Sequence, residues 1–434
     1  MKRLVLAGLL ALGAAPALAA ADIRVETSPG GLTYWLVEER TVPMVALEIS
    51  FDGGAASDPA ALAGAANFLA AMLDEGAGEL DSVAFSTQAQ LLAANFGFSA
   101  SRDAFSVSAR MLEENLDASV ALLRAALTAP RFDPEPLARV RAQIVSKLRS
   151  DETDPDALAS SAFFAAAFPD DPYGRPTDGT LETVGAMTAD DLRAAHARLL
   201  TRRGARIGVV GAIDAATAGA MLDSLLGALP EAAPARGPKL SPAPPPGVTV
   251  IDFDAPQSTV IFGHEGPLRD DPDFIPAFVM NHILGGGGFS SRLTTEVREK
   301  RGLAYSVYAY LATFDRAGLA LGGVGTANGR VAESLDVIRA EWARMAREGV
   351  TEDELRRAQQ YLTGAYPLRF DSNARIAGIL VGLQRDGLGP DYVERRNALV
   401  EAVTVADIAR VAATWLRPEA LSFVVVGRPE GLTP

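Results

Sequence analysis

Residues Val184-Gly-Ala-Met-Thr188-Ala-Asp-Asp191-Leu192 and Val400-Glu-Ala-Val-Thr404-Val-Ala-Asp407-Ile408 are two versions of one sentence. The match runs without a gap through Leu200 and Leu416 to Ile207-Gly-Val-Val-Gly211 and Phe423-Val-Val-Val-Gly427, always at an offset of 216. Each copy reads as a capped helix followed by a buried strand. Thr188 with Asp191, and Thr404 with Asp407, fit a variant capping box, in which the carboxylate and the hydroxyl each satisfy a backbone N–H of the first turn. Leu192, Ala195 and Leu199 then line one helical face, as Ile408, Val411 and Trp415 do in the second copy. The apolar run ending in Gly is a strand entering a turn. An ungapped match of this length favours duplication over coincidence.

Working outward, 434 residues exceed one ordinary core. The copies fall on either side of residues 230–247, PEAAPARGPKLSPAPPPG, whose seven prolines exclude a helix or an interior strand and read as a semi-rigid linker. Domains are therefore expected at 22–229 and 248–434. In the first, Thr33 to Glu38, Met44 to Phe51 and Phe105 to Met111 alternate like strands, while Leu112 to Ala129 and Pro136 to Ser150 look helical. In the second, Val248 to Phe253 and Ser258 to Gly263 are predicted strands, and Thr351 with Glu354 caps a long helix. Strands followed by runs of helices predict an α+β fold. Each of two homologous domains would be an antiparallel sheet with helices packed on one face.

The first residues suggest a compartment. Met1-Lys2-Arg3 is basic, Leu4 to Ala20 is apolar, and Ala17-Leu18-Ala19 has the small-x-small pattern of a cleavage site. Residues 1–21 are thus expected to be a signal peptide, and the mature chain an exported protein, most simply periplasmic. No later run has the roughly 20 apolar residues of a membrane span. Fifty-four acidic against 40 basic residues give a formal charge of −14, which repels nucleic acid and anionic lipid. There is no cysteine, so disulfides and thiolate metal ligands are excluded. The three histidines, His196, His264 and His282, share no helical face by local spacing and read as packing or surface residues.

Gly64-Ala-Ala-Asn67-Phe-Leu-Ala70-Ala71-Met-Leu-Asp-Glu75 follows Gly53-Gly54 and Asp58-Pro59. Further on come Phe168-Pro-Asp-Asp-Pro-Tyr-Gly-Arg175-Pro176 and Gly179-Thr180. The second half has Ile283-Leu-Gly285-Gly-Gly-Gly288-Phe289-Ser-Ser-Arg-Leu293 before Glu296-Val-Arg298-Glu-Lys-Arg-Gly302-Leu-Ala-Tyr305. Over nearly the whole chain beyond residue 21, this frame resembles the pitrilysin-like (inverzincin) zinc metallopeptidases. The resemblance is to their non-catalytic subunits, such as the alpha type of mitochondrial processing peptidase and bacterial periplasmic heterodimeric homologues. In catalytic members the matching helix carries H-x-x-E-H, two zinc ligands and a base. Here those positions are Asn67, Ala70 and Ala71, and the helix expected to supply the third ligand reads Gln143 to Arg149 without a Glu.

The resemblance implies no metal in this chain and zinc in a homologous partner subunit. It implies a peptide or unfolded-protein substrate, with Arg298 and Tyr305 supplied to the partner's active site. A Tyr on a strand beside a helix-terminal Arg can donate to a peptide carbonyl or to the oxyanion formed from it. Read from the residues alone, the pair favours a core-edge Tyr305 and a solvated Arg298 paired with Glu296 or Glu299; the resemblance tips the reading to function. The four glycines lack the Lys-Ser/Thr of a phosphate loop and favour a close backbone approach instead. The rival reading is a structural core subunit or a stand-alone peptide-binding protein with no peptidase role.

Overall fold

The computed structural model describes residues 22–232 and 237–432; the expected signal peptide lies outside them. The first half begins with strands β1 (Arg24–Thr27), β2 (Thr33–Glu38) and β3 (Met44–Asp52), then helix α1 (Ala65–Ala70). A hairpin of β4 (Gly76–Ala77) and β5 (Leu80–Asp81) leads to α2 (Ser82–Leu91), β6 (Asn95–Ala100) and β7 (Ala104–Leu112). Helices α3 (Leu116–Thr128), α4 (Pro134–Asp151), α5 (Pro155–Ala167), α6 (Leu181–Ala186) and α7 (Ala189–Leu199) precede β8 (Arg206–Gly211) and α8 (Ala215–Leu226). The second half runs β9 (Gly247–Asp252), β10 (Gln257–Glu265), α9 (Phe274–Asn281), β11 (Ala304–Thr313) and β12 (Gly318–Ala327). It closes with α10 (Val331–Glu348), α11 (Glu352–Ala365), α12 (Asn373–Arg385), α13 (Tyr392–Glu401), α14 (Val405–Trp415) and β13 (Ser422–Gly427). The described Pro-rich residues 237–246 form neither helix nor strand. They are held by Leu240 N–H donating to Arg316 O (2.6 Å) and Ala243 N–H to Ala167 O (3.3 Å).

The sheets prove the duplication. One has the order β1-β2-β8-β3-β7-β6 and the other β11-β12-β10-β13-β9. Without β1 the two orders superpose, β9 on β2, β10 on β3, β12 on β7, β11 on β6 and β13 on β8. The repeated units are α7–β8 and α14–β13, and both carry the capping box that the sequence predicts. The sheets are antiparallel as expected except at one pairing in each: β2 pairs with β8 in parallel, and β9 with β13. These are the first and last strands of each repeat. A whole half separates them in sequence, so no hairpin dictates their direction.

The helices of each half pack on one face of its sheet, apart from one that crosses to the other half. The inner face of each sheet carries the main core of its own half, around Phe51, Phe68 and Phe105 in the first and Phe262, Trp342 and Phe423 in the second. The outer faces are covered by exchange. Helix α12 lays Ala377, Leu380 and Leu383 on Trp35, Val37, Ala46 and Val210 of the first sheet. Helix α5 lays Ala159, Phe163 and Ala167 on Leu319, Leu321, Val424 and Val426 of the second. Polar contacts lock α12 in place: Gln384 donates to Ile207 O (2.9 Å) and accepts from Ile207 N (3.3 Å), and Arg385 reaches Ser50 Oγ (3.1 Å). No helix among the described residues is long and apolar enough to cross a membrane.

Exchange leaves one carboxyl in an awkward place. Glu48 sits in β3 between Gly208 of β8 and Ser108 of β7, on the face that α12 covers. Burial pushes its carboxyl up to about 7. The folded protein therefore holds this proton more tightly than the unfolded chain does. Stability is undiminished below the ordinary Glu range and falls as pH rises through 7. Glu48→Gln is expected to raise stability by about 1–3 kcal/mol at pH 8 and to change it little at pH 4. Urea denaturation at the two pH values checks this; an equal effect at both would exclude titration as the cause.

Candidate functional site

Helix α1 is where a zinc peptidase would do its chemistry. It starts at Gly64, whose φ of 93° needs glycine and whose missing Cβ lets the carbonyl of Asp178 approach. Buried Asp58 holds the start, accepting from Gly64 N (3.2 Å), Ala66 N (3.1 Å) and Arg198 (2.6 Å). The helix is shorter than the sequence implies. It ends at Ala70, and residues 71–74 are turn. Asn67 is half-buried and donates its amide to Thr177 O (2.9 Å). Ala70 is buried and Ala71 exposed, and neither has an atom to ligate metal or accept a proton. On α4, Lys147 lies in the segment that would carry the third ligand, and it pairs with Asp151 (2.7 Å) and Asp178 (2.8 Å). Asn67 and Lys147 thus hold successive residues of the loop that covers α1. Zinc does not fit these side chains. Among the described residues no group of three His, Cys, Asp or Glu is placed to hold any metal ion.

The histidines are occupied elsewhere. His196 Nε2 is 2.8 Å from Leu127 O. His264 is fully buried and accepts at Nε2 from Trp342 (2.9 Å), so its Nδ1–H donates to Glu265 O (2.6 Å). His282 stacks on Tyr361 at 5.2 Å. Burial lowers the pKa of all three.

In the second half the structure brings Arg298 and Tyr305 together. Arg298 lies in a turn of π-helix, Thr294–Glu299, that Gly302 ends at a φ of 61°. Wide turns of this kind recur at functional sites. Its guanidinium carbon is 4.7 Å from the Tyr305 ring centroid and 4.7 Å from that of Phe289. Among the described residues no carboxylate pairs with it. Glu296 is taken instead by Lys300 and Arg301, each at 2.7 Å. Phe289, which the sequence reading did not single out, places a second ring against the guanidinium; it stands in the same motif, just past the glycines.

Strict alternation along β11 would put Tyr305 on one face with Val307 and Ala309, and the structure departs from it. The β11–β12 register slips between Ala304 and Ser306, making Tyr305 the extra residue of a β-bulge. A bulge re-aims its side chain. Val307 and Ala309 are buried while Tyr305 is 83% exposed. Strand β11 is the open edge of its sheet and also shows Tyr308 and Tyr310 to solvent. Gly285 lies against this strand, where a Cβ would come within 2.7 Å of Ala309 N, and Gly288 has a φ of 56°. The glycines thus serve a close approach, as the sequence reading favours. Arg292 is structural: its fork grips Glu354 (2.6 and 2.8 Å) at the start of α11.

Fold and site together define a duplicated α+β protein of metallopeptidase frame whose metal-binding side chains are absent. Residues 34–181 match the insulinase domain of peptidase family M16, and residues 186–362 match the M16 inactive domain. The chain belongs to the M16 peptidase family and is of the non-catalytic kind, without the H-x-x-E-H residues. It is 28% identical to an uncharacterized zinc protease of Streptomyces coelicolor over 401 residues, covering 90% of this chain and 86% of that one. It is 27% identical to a non-peptidase homolog of Helicobacter pylori over 333 residues, 76% of this chain and 77% of that one. The crystal structure of a peptidase M16 inactive domain from Pseudomonas fluorescens superposes with a TM-score of 0.89 at 28% identity, covering 95% of this chain and 99% of that one.

Proposed function

We propose that this chain is the non-catalytic, substrate-binding subunit of a periplasmic heterodimeric zinc peptidase. A homologous partner carrying H-x-x-E-H supplies zinc, water and general base. This chain supplies Arg298 and Tyr305, which hold the substrate carbonyl and the oxyanion formed from it. The observation that carries the reading is the combination at β11. Tyr305 is thrust out by a bulge, and no hydrogen-bond partner stands at its hydroxyl among the described residues. It leans on an arginine free of carboxylates, beside an open strand edge. A solitary structural residue gains nothing from such exposure, whereas an extended peptide can add to the edge as a further strand. Relatives named zinc protease and non-peptidase homolog within one family are consistent with two chains dividing the work.

Two expected outcomes test this. The purified chain holds no stoichiometric zinc and hydrolyses no unfolded peptide; one tightly bound zinc per chain, by metal analysis, contradicts the reading. Added to a homologue with H-x-x-E-H from the same cell, the chain raises peptidase activity to a maximum near one-to-one. A homologue fully active alone and indifferent to this chain removes the heterodimer proposal.

A further inference from the structure

A cavity of about 730 Å³ lies on the helical side of β11, walled by α9, α12, the start of α13 and the chain around Tyr366. In a protein with more acidic than basic residues, its lining reverses the balance: Arg269, Arg369, Arg375 and Arg396 against the single carboxylate of Asp386. Two of these arginines are neutralised. Arg269 pairs with Asp386 (3.0 Å), and Arg375 with Asp371 (2.7 Å). The other two are not. Arg396 is only 7% exposed, yet among the described residues its sole protein acceptors are Leu362 O (2.7 Å) and Asn397 Oδ1 (3.1 Å), both on Nη1. Arg369 is exposed and has no ion-pair partner among the described residues. Burial lowers the pKa of Arg396, and the charge of Arg369 works in the same direction. Arg396 Nη2 and Nε carry no protein acceptor among the described residues and line the cavity, so with Arg369 they offer charge-assisted donors that an anion could join.

The walls say what the anion is attached to. Phe274, Phe278, Tyr366 and Tyr392 give the cavity an aromatic lining, with the Arg396 guanidinium carbon 4.6 Å from the Tyr366 centroid. Ala309, Leu311 and Thr313 of β11 form its near side. A peptide added to the β11 edge would send alternate side chains to this helical side.

We propose that the cavity is an anchor for a peptide carboxylate carried on an apolar or aromatic residue, read by Arg369 and Arg396. This rests on the peptide-binding part of the function proposed above, and it adds which peptides are held and where. Tyr305 and Thr313 are eight residues apart, roughly 27 Å along a strand at ~3.4 Å per residue. A segment of about that length can meet the Arg298–Tyr305 pair and the anchor together.

The test uses the purified chain without any partner and fluorescence anisotropy with three labelled peptides of about nine residues, built from Thr, Val and Ser. One ends in Phe with a free carboxylate, one is its amide, and one is the amide with a Glu placed before the Phe. The free acid is expected to bind at least tenfold more tightly than the amide. Arg369→Gln and Arg396→Gln should each bring that ratio within twofold, and Arg369→Lys should retain part of it. If the Glu-containing amide matches the acid, the anchor takes side-chain carboxylates as well as chain ends. Equal binding of all three peptides overturns the proposal, and so does full discrimination in Arg369→Gln. Arg369 is exposed, so that variant decides the matter even where Arg396→Gln fails to fold. Loss of the anchor with an active heterodimer leaves the peptidase reading standing. Discrimination by a chain that activates no homologue removes that reading and leaves the anchor.

Discussion

Tyr305→Phe is expected to lower kcat of the reconstituted heterodimer a hundred- to thousandfold while folding and pairing survive. The substitution removes one hydroxyl and leaves the ring that Arg298 stacks on, and the residue is 83% exposed, so no core depends on it. One donor to a developing oxyanion contributes about 3–4 kcal/mol of transition-state stabilisation. The split between constants identifies the contact. A donor to the oxyanion lowers kcat, whereas a donor to the ground-state carbonyl raises KM. Arg298→Lys keeps the charge but loses the planar fork and its contact with the Phe289 and Tyr305 rings, so it too should impair positioning. Zinc content and dimer formation are measured for each variant. If both leave kcat/KM within about twofold, well under the 1.4 kcal/mol of a tenfold change, the pair has no catalytic role and a structural subunit is the better reading.

What the sequence discloses of this site follows from how local each feature is. The capping boxes at Thr188 and Thr404 are formed by residues three apart, so the repeat could be read directly, and both boxes are present. The loss of metal ligands at Asn67, Ala70 and Ala71 is a matter of side-chain identity and needs no geometry. The bulge at Tyr305 is different. Alternation along β11 says that Tyr305 shares a face with Val307, and only the register against β12, set by contacts about twenty residues away, makes it an extra residue. Nothing in a Gly-Gly-Gly-Gly-Phe run says that the Phe289 ring folds back on Arg298. The cavity arginines were invisible for the same reason. Arg269, Arg369 and Arg396 come from separate segments and become one site only through the folding of α9, α12 and α13. Exchange of α5 and α12 was beyond reach too, since helical periodicity marks an apolar face but not the sheet that will receive it.

That exchange is expected to make the two halves one cooperative unit, and Phe163→Ala tests it. Phe163 belongs to the first half by chain position. Its ring is fully buried against the outer face of the second sheet, beside Leu319, Leu321, Val424 and Val426. Removing the ring leaves a cavity that α5 cannot close without leaving its neighbours, so a loss of about 3–5 kcal/mol is expected; Phe163→Leu, which keeps most of the volume, should lose under ~1.5 kcal/mol. Where the loss appears is the sharper question. If α5 and α12 only rest on the opposite sheets, the cavity weakens β10, β12 and β13 and leaves β3 untouched. If they couple the halves, each sheet can open only when both outer helices leave, and the same free energy is lost everywhere. Native-state hydrogen exchange separates these outcomes, because the slowest amides of each sheet report its own opening free energy. Equal losses in β3 and β12 are expected. Such coupling would also hold the Arg298–Tyr305 pair of the second half in a fixed relation to α1 in the first, as a subunit shaping one side of a shared active site requires. A loss confined to the second sheet would mean that the halves open independently, and the rigid presentation assumed for Tyr305 would fail with it.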